Sequence, residues 1–335
     1  MKMKIVITGA NGFIGTNLVE TLEKDSEVET IAMVYPGTDE SIISNMRCII
    51  KHGDMMNLES MLPIFNDCDC VVHLAGLVTE WASKEAFEKY IVQATKTVYQ
   101  AAQQSGVKKF VFMSSLTVQG FKPFGAEQIK EEDGYNPCNE YARSKMICEK
   151  YLLEEGKKHN IKIVIVRPAF TIFGRYDQAS FILYLDSILK QKVPLLDKGR
   201  AICSFVYAEN LAHGIAFLCK NPLAEGVYNI SDRNMSWKNF ISLICNIANV
   251  PEPKSSVPYR LVQAPVWLLE AGYKLFRIKK SPIINLYRLK IQSSTLSCSD
   301  SRIKTLNFCP LIEFEEGIRR TIEYYYSTKN TQNIQ

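Results

Sequence analysis

No stretch of this 335-residue chain reads as a membrane span, because charges interrupt every apolar run well short of the ~20 residues a bilayer crossing needs. A strand pattern begins at Lys4, which leaves no room ahead of it for a signal peptide. Ten cysteines are present but lack paired metal-ligand spacing; Cys68-Asp69-Cys70 is the nearest pair, a weak signal, so no metal site is expected. The net charge of +5 is mild, and no Lys/Arg run is both long and interleaved with aromatics, which argues against nucleic acid as a partner. The reading is a reduced, cytoplasmic protein that handles a small molecule. Apolar residues at 47% and charged residues at 22% are ordinary for a globular chain with a sizeable core, so any distinctive chemistry must lie in motifs.

The pattern of what is there alternates. Short apolar runs at 5–8, 30–34, 48–52, 71–74, 110–113 and 162–166 read as buried strands. Segments of helical period at 12–24, 58–65, 83–105 and 141–159 separate them. Such alternation predicts an α/β fold, a doubly wound parallel sheet with helices on both faces and right-handed crossovers. Beyond about residue 175 the pattern loosens into short helices such as 237–248 and 315–326. The expected organisation is a Rossmann-type dinucleotide-binding domain over 1–175 and a smaller mixed lobe over 176–326 that returns some elements to the sheet. A polar tail, 327–335, is expected to fray.

Gly9, Gly12 and Gly15 stand where the first strand passes into the first helix. In a strand–turn–helix, Gly9 permits the tight turn, Gly12 lets the backbone approach a pyrophosphate, and Gly15 lets the helix pack closely. The helix N-terminus then offers N–H groups and partial positive charge to phosphates. The spacing GxxGxxG departs from the common GxGxxG, but its position behind Ile5-Val6-Ile7 and ahead of an amphipathic helix (Phe13, Ile14, Leu18, Val19, Leu22) favours dinucleotide binding. Asn11, Phe13 and Ile14 belong to the same candidate cradle. At the end of the second strand an acid would favour NAD and a base NADP. Tyr35 stands there, with Asp39 and Glu40 slightly too far along, so the choice between NAD and NADP stays open. Asp54, followed by Met55, ends the third strand and is either an acceptor for the adenine amine or a turn or cap aspartate.

Tyr141 and Lys145 lie four residues apart, on one helix face. A buried ammonium there would lower the phenol's pKa, so that Tyr141 exchanges a proton with a substrate oxygen while hydride moves at the adjacent carbon. Lys145 would also hold the nicotinamide ribose. The strand before this helix ends Phe112-Met113-Ser114-Ser115, and a hydroxyl at that edge can orient the reacting oxygen; Ser115 is the first choice, with Thr117 and Ser114 beside it.

Together Gly9-Ala-Asn-Gly12-Phe-Ile-Gly15, Gly53-Asp54, His73-Leu74-Ala75-Gly76, Ser114-Ser115, Tyr141-Ala-Arg-Ser-Lys145 and Arg167-Pro168 resemble the extended short-chain dehydrogenase/reductase family, in that family's order and over nearly the whole chain. The resemblance implies NAD or NADP as cofactor and Ser115, Tyr141 and Lys145 as the catalytic set. It also implies cofactor contacts from Leu74, Ala75 and Gly76 beneath the nicotinamide half and from Pro168. Dimers are common in that family, so a homodimer is a further expectation.

Departures narrow the branch. Sugar dehydratases carry an Asp-Glu pair where Leu116 and Thr117 stand here. Nucleotide-sugar enzymes commonly have an asparagine shortly after the Arg-Pro region and, before the segment matching Phe205-Val206-Tyr207, an arginine that grips a pyrophosphate. This chain has Phe170 and Thr171 after Arg167-Pro168, candidates for substrate contact, and Cys203-Ser204 near the arginine's place; Arg200 could substitute only if the register shifts. Ile91-Val92 replaces the family's frequent Asn-Val. His213 reads as a packed helix residue. The stretches Ser204-Phe-Val-Tyr-Ala-Glu-Asn210-Leu-Ala-His213-Gly214 and Leu306-Asn-Phe-Cys-Pro310-Leu-Ile-Glu-Phe-Glu-Glu-Gly317 more closely resemble the 3-beta-hydroxysteroid and sterol dehydrogenase branch. The leading expectation is an oxidoreductase acting on a secondary alcohol or ketone, lipophilic in character. The alternatives are a nucleotide-sugar epimerase with tightly held NAD, and a silent cofactor-binding sensor or scaffold. Residues 251–304 hold ten Lys/Arg against three Asp/Glu, interleaved with Trp267, Leu268, Leu269, Tyr273, Leu275 and Phe276. This reads first as an ordinary amphipathic helix, and second as a lid over a greasy substrate that touches an acidic membrane surface through 260–290.

Overall fold

The computed structural model describes residues 2–332 apart from 80, 193, 277, 279, 280 and 283. The chain runs β1 (Met3–Thr8), α1 (Phe13–Leu22), β2 (Val28–Val34), β3 (Ile49–His52), α2 (Leu58–Phe65), β4 (Cys70–His73), α3 (Lys84–Phe87), α4 (Ala94–Gln104), β5 (Lys109–Met113), α5 (Glu140–His159) and β6 (Lys162–Pro168). It continues β7 (Thr171–Phe173), α6 (Phe181–Leu189), β8 (Leu195–Leu196), β9 (Ile202–Tyr207), α7 (Ala208–Lys220), β10 (Gly226–Ile230), β11 (Arg233–Ser236), α8 (Trp237–Ala248), β12 (Ser256–Val257), α9 (Tyr259–Leu275), α10 (Leu286–Ser293), α11 (Ser301–Lys304) and α12 (Phe314–Gln332).

Seven strands pair in the order β10-β6-β5-β4-β1-β2-β3, all parallel. Both faces are covered, which is why Ile5, Val6 and Ile7 are all fully buried instead of alternating. One face packs under α1 and α7, the other under α2, α4 and α5. The strand order reverses between β1 and β4, and the crevice at that switch point is where ligands of such sheets bind. Two elements from beyond residue 175, α7 and β10, complete this sheet. The remaining lobe is a three-stranded sheet, β11-β9-β7, whose aromatic core includes Phe205 stacked on Phe240 at 3.9 Å, with α6, α8 and α12 around it.

Two expectations are corrected. The helix expected over 83–105 is interrupted: α3 passes through a π-helical stretch at Glu88–Gln93 before α4. Ile91 and Val92 are buried in that stretch, and the Ile91 carbonyl accepts the Cys148 thiol of α5 at 3.7 Å. π turns of this kind recur at functional sites. The tail does not fray at 327, because α12 runs to Gln332 and Lys329 pairs with Asp186, which also accepts the Tyr325 hydroxyl at 2.6 Å. Residues 333–335 lie outside the described part.

Two contacts fix the crevice. A Cβ on Gly15 would stand 2.1 Å from the Gly9 carbonyl oxygen and 2.8 Å from Ala10, so the first turn of α1 packs on the glycine turn itself, more than on the strand. His73, at the end of β4, is fully buried and joins three elements, with Nδ1 2.7 Å from the Thr8 hydroxyl of β1 and Nε2 3.1 Å from the Thr95 hydroxyl of α4. Burial first, and the Lys145 charge second, push the imidazole's pKa down to about 3.

The Gly15 contact predicts that Gly15→Ala costs about 1–3 kcal/mol in urea unfolding through overpacking; an unchanged midpoint would mean that the turn yields. For His73 the unfolded chain binds more protons than the native one between pH 6.5 and about 3, so its share of stability is complete above pH 6.5 and is lost as pH falls. From pH 7 to pH 5 that share falls by about 2 kcal/mol. Urea unfolding at the two pH values should show a shallower decline in His73→Gln than in the wild type.

Candidate active site

The glycine turn closes the crevice from below. Gly9 adopts a positive φ of 71°, and a Cβ there would meet the Ala75 backbone at 2.8 Å, so only glycine lets the turn and the segment after β4 touch. Gly12 caps α1 without any side-chain acceptor, and the first turn carries no acid. The N–H groups that a helix leaves unpaired at its start therefore face the crevice without a built-in anion. A Cβ on Gly12 would meet only the Gly9 carbonyl, at 3.3 Å, so its outer side is open. An uncapped helix start behind a small-residue turn fits the pyrophosphate of NAD. Asn11 donates from Nδ2 to the Thr38 hydroxyl at 3.0 Å and to the Asp39 carbonyl at 2.9 Å. That bond folds 35–39 back against the turn. Asp39 is therefore nearer the cradle than its distance along the chain implied.

Tyr35 stands exposed just past β2, as its position predicted. Asp39 accepts from the Ser41 N–H at 2.9 Å, and Glu40 lies 2.9 Å from His52. Asp54 makes a turn contact, one carboxylate oxygen accepting the Met56 N–H at 2.8 Å, while Asn57 caps α2. Met55 packs half-buried against the core beneath α2. Leu74 and Ala75 are both held by Thr8, through its carbonyl at 3.2 Å and its hydroxyl at 3.4 Å, and Gly76 follows them.

Asn139 starts α5 by accepting the Ala142 N–H at 2.8 Å, which sets Tyr141 in the first turn and Lys145 one turn on. Lys145 is buried; its ammonium donates to the Met113 carbonyl at 2.7 Å and lies 4.6 Å from the Phe112 ring centre and 5.9 Å from that of Tyr141. Burial lowers its pKa to about 8 and raises that of the half-buried Tyr141 to about 12. The expected lowering of the phenol is thus corrected. Desolvation outweighs an ammonium that is turned toward a strand carbonyl, and at neutral pH Tyr141 carries its proton.

Ser115 ends the segment after β5. Its oxygen accepts the Thr117 hydroxyl at 2.8 Å and the Thr117 N–H at 3.3 Å, which leaves its own proton to donate outward. Thr117 is buried and acts on Ser115. Phe170 is half-buried, its ring 6.5 Å from Phe121, which in turn lies 5.8 Å from Tyr287. Thr171 is corrected: it sits buried on β7 with its hydroxyl 3.6 Å from the Cys203 thiol, because strand alternation turns it into the second sheet. Pro168 ends β6, buried beside β10. Arg200 lies exposed ahead of β9, its Nε donating to the Asp197 carbonyl at 3.3 Å, while Cys203 and Ser204 are fully buried on the strand. His213 packs on Phe308, ring centres 5.4 Å apart. A hollow of about 240 Å³ between Gln103, Lys108 and His159 holds none of these residues.

Beneath the site Arg167 and Ser114 meet two residues that the motifs do not contain, Glu149 and Tyr135. Glu149, one turn beyond Lys145, takes Arg167 through Nε at 3.0 Å and Nη2 at 2.6 Å, together with the hydroxyls of Ser114 and Tyr135, the latter at 2.9 Å. The spacing 141, 145, 149 was its only sequence signal. Among the described residues there is no cluster of metal-ligating side chains.

This geometry has known relatives. UDP-glucose 4-epimerase of Vibrio cholerae is 28% identical over 98% of this chain and 98% of its own. Mouse sterol-4-alpha-carboxylate 3-dehydrogenase, decarboxylating, is 24% identical over 96% of this chain and 91% of its own. Among solved structures, the UDP-glucose 4-epimerase of Thermus thermophilus in complex with NAD superposes with a TM-score of 0.75 at 19% identity, over 97% of this chain and 99% of that one. A family model described as NAD dependent epimerase/dehydratase matches residues 5–231. The chain therefore belongs to the NAD dependent epimerase/dehydratase family and is an NAD-dependent enzyme of oxidoreductase or epimerase type.

Proposed function

We propose that the protein is a dehydrogenase or reductase of a secondary alcohol or its ketone on a lipophilic substrate. The observation that carries this reading is on β9. The place for a pyrophosphate-gripping arginine is taken by buried Cys203 and Ser204, and Arg200 is turned to its own loop. Phe121, Phe170 and Tyr287 form an aromatic group, with Phe121 on the chain that follows β5, suited to an apolar skeleton. The mouse relative's name, a sterol-4-alpha-carboxylate 3-dehydrogenase, agrees. The Vibrio cholerae relative favours a second reading, nucleotide-sugar epimerase.

NAD, when bound, supplies or accepts the hydride. The protein's residues handle the proton: Ser115 donates a hydrogen bond to the substrate oxygen, and Tyr141, protonated at neutral pH, gives its proton to a ketone oxygen. Lys145 places positive charge behind that exchange and is positioned to reach a ribose. The cofactor preference is supported by 28–46, which contains no Lys or Arg to hold a 2′-phosphate, and by Asn11 drawing the acidic Asp39 segment toward the glycine turn. NAD is the cofactor this charge pattern favours.

Native mass spectrometry of the freshly purified protein separates the two readings. An empty protein that binds added NAD(H) supports the dehydrogenase, and retained NAD with a nucleotide sugar supports the epimerase. Tyr141→Phe should lower kcat on the order of 10²–10⁴-fold with NAD affinity unchanged; wild-type turnover would remove Tyr141 from the reaction. NAD(H) should bind at least about tenfold more tightly than NADP(H) by fluorescence titration, since a 2′-phosphate meets like charge. Because the Lys145 charge is present below pH 8 and lost above it, kcat for ketone reduction should fall above about pH 8. A level profile to pH 10 would show that this charge is not used.

A further inference from the structure

We propose that the outer face of α9 docks on an anionic lipid bilayer, so that the protein lies on a membrane surface without crossing it. Of the seventeen large apolar side chains exposed among the described residues, eight fall between 261 and 284. Five of them, Leu261, Leu268, Leu269, Leu275 and Phe276, are 43–77% exposed, and at 100° per residue they share one side of α9. The helix is held from its opposite side, where Val266, its one buried residue, joins Leu196 and Leu289, with Tyr259 and Val262 alongside. An exposed apolar stripe on a helix already anchored along its other side is surface left for a partner.

The charge identifies the partner. Residues 258–290 hold seven Lys/Arg and a single acid, Glu270, so this segment accounts for the whole positive balance of a +5 chain. Three of those cations, Arg277, Lys279 and Lys280, with Ile283, lie outside the described residues. Arg260 and Trp267 are exposed on the flank of α9, about 60–80° round the helix from the stripe's edge, whereas Lys274 lies farther round, 3.8 Å from Glu270 and 5.4 Å from the Trp81 ring centre. An exposed apolar face and a flanking tryptophan, in a segment with this cation excess, suit a helix resting in the headgroup region of acidic lipid. Two copies of such a face would repel each other, which disfavours self-association through it. No helix among the described residues is long and apolar enough to cross a membrane, so the contact is peripheral.

The face also lies next to the crevice. Tyr273 meets Trp81 edge-on, ring centres 6.5 Å apart, and the Trp81 indole N–H donates to the Ile278 carbonyl at 3.1 Å. Trp81 is five residues beyond Gly76, so the lipid-facing helix is fastened to the segment that leaves the candidate nicotinamide site.

Flotation of the full-length protein tests the proposal, using vesicles of phosphatidylcholine alone and of phosphatidylcholine mixed with phosphatidylglycerol. The protein should float with the mixed vesicles at low salt, stay behind with the neutral ones, and be released as salt rises. Leu268→Asp with Phe276→Asp should reduce flotation by about tenfold or more while the thermal melt and NAD binding stay at wild-type values, since both side chains are exposed. Wild-type protein that does not float, or a double variant that still does, overturns the proposal. So does a wild-type dimer that the double variant dissociates in sedimentation without any lipid binding, which would make this face a self-interface. The readout involves no substrate, so failure of the hydride-transfer reading would leave it standing.

Discussion

The buried pair of Glu149 and Arg167 is the contact on which the candidate site depends. Both side chains are at most 2% exposed, and charges taken that far from water are tolerated only when paired and hydrogen-bonded. Burial works against the guanidinium's charge, but the carboxylate beside it outweighs that and raises the Arg167 pKa. Glu149 belongs to the helix that carries Tyr141 and Lys145, Arg167 to β6, and Ser114 to the segment that presents Ser115. One carboxylate thus ties the proton-handling helix to the strand ends it must face. Such a pair adds little net stability compared with apolar packing, yet removing either partner leaves a bare buried charge and costs about 3–5 kcal/mol. That steepness makes it a positional constraint: α5 cannot slide along the sheet without breaking it.

What could be read from the chain was whatever local chemistry encodes. The glycine turn was legible because three glycines behind a buried strand have few other uses, and Tyr141 with Lys145 because an i, i+4 pair defines a helix face. The parallel sheet followed from continuous apolar runs such as Ile5-Val6-Ile7. Long-range matters were not legible. Thr8, His73 and Thr95 are far apart in sequence and meet only when β1, β4 and α4 close together. Asp39 was set aside as too distant, yet Asn11 folds its loop back. Thr171 seemed available because it follows Arg167-Pro168; the strand's alternation points it away. The π turn at Glu88–Gln93 was hidden, since helical periodicity survives one extra residue. The fraying expected at 327 failed because polarity marks exposure, while Asp186 supplies partners for Tyr325 and Lys329.

The electrostatics of Tyr141 and Lys145 show why pairing by motif is incomplete. Burial pushes both groups toward neutrality, the phenol up and the ammonium down. The ammonium is bonded to the Met113 carbonyl and stands 5.9 Å from the centre of the phenol ring, where it does not offset the cost of burying a phenolate, and the phenol keeps its proton. A tyrosine in that state is ready to give a proton to a carbonyl oxygen. For the reverse direction it must first lose one, and only a cation brought to bear on the phenolate makes that possible near neutral pH. The two directions therefore place unequal demands on Lys145.

The same asymmetry of surroundings extends to the substrate side. The NAD half of the crevice is built from backbone and small residues, which suits a polar phosphate-bearing ligand held by N–H groups. On the proposed reading the other half takes in Phe121, Phe170 and Tyr287, whose rings adjoin one another, and β9 brings it no cation to pair with a second phosphate. On the same reading, a substrate carrying its own pyrophosphate would lack a counter-charge from β9, whereas an apolar alcohol or ketone would need none. The exposed stripe on α9, fastened to the crevice through Trp81, gives such a molecule a source, since apolar substrates partition into membranes and are scarce in water. Aromatic group, missing arginine and exposed stripe arise from separate parts of the chain, and each independently supports the proposed lipophilic substrate.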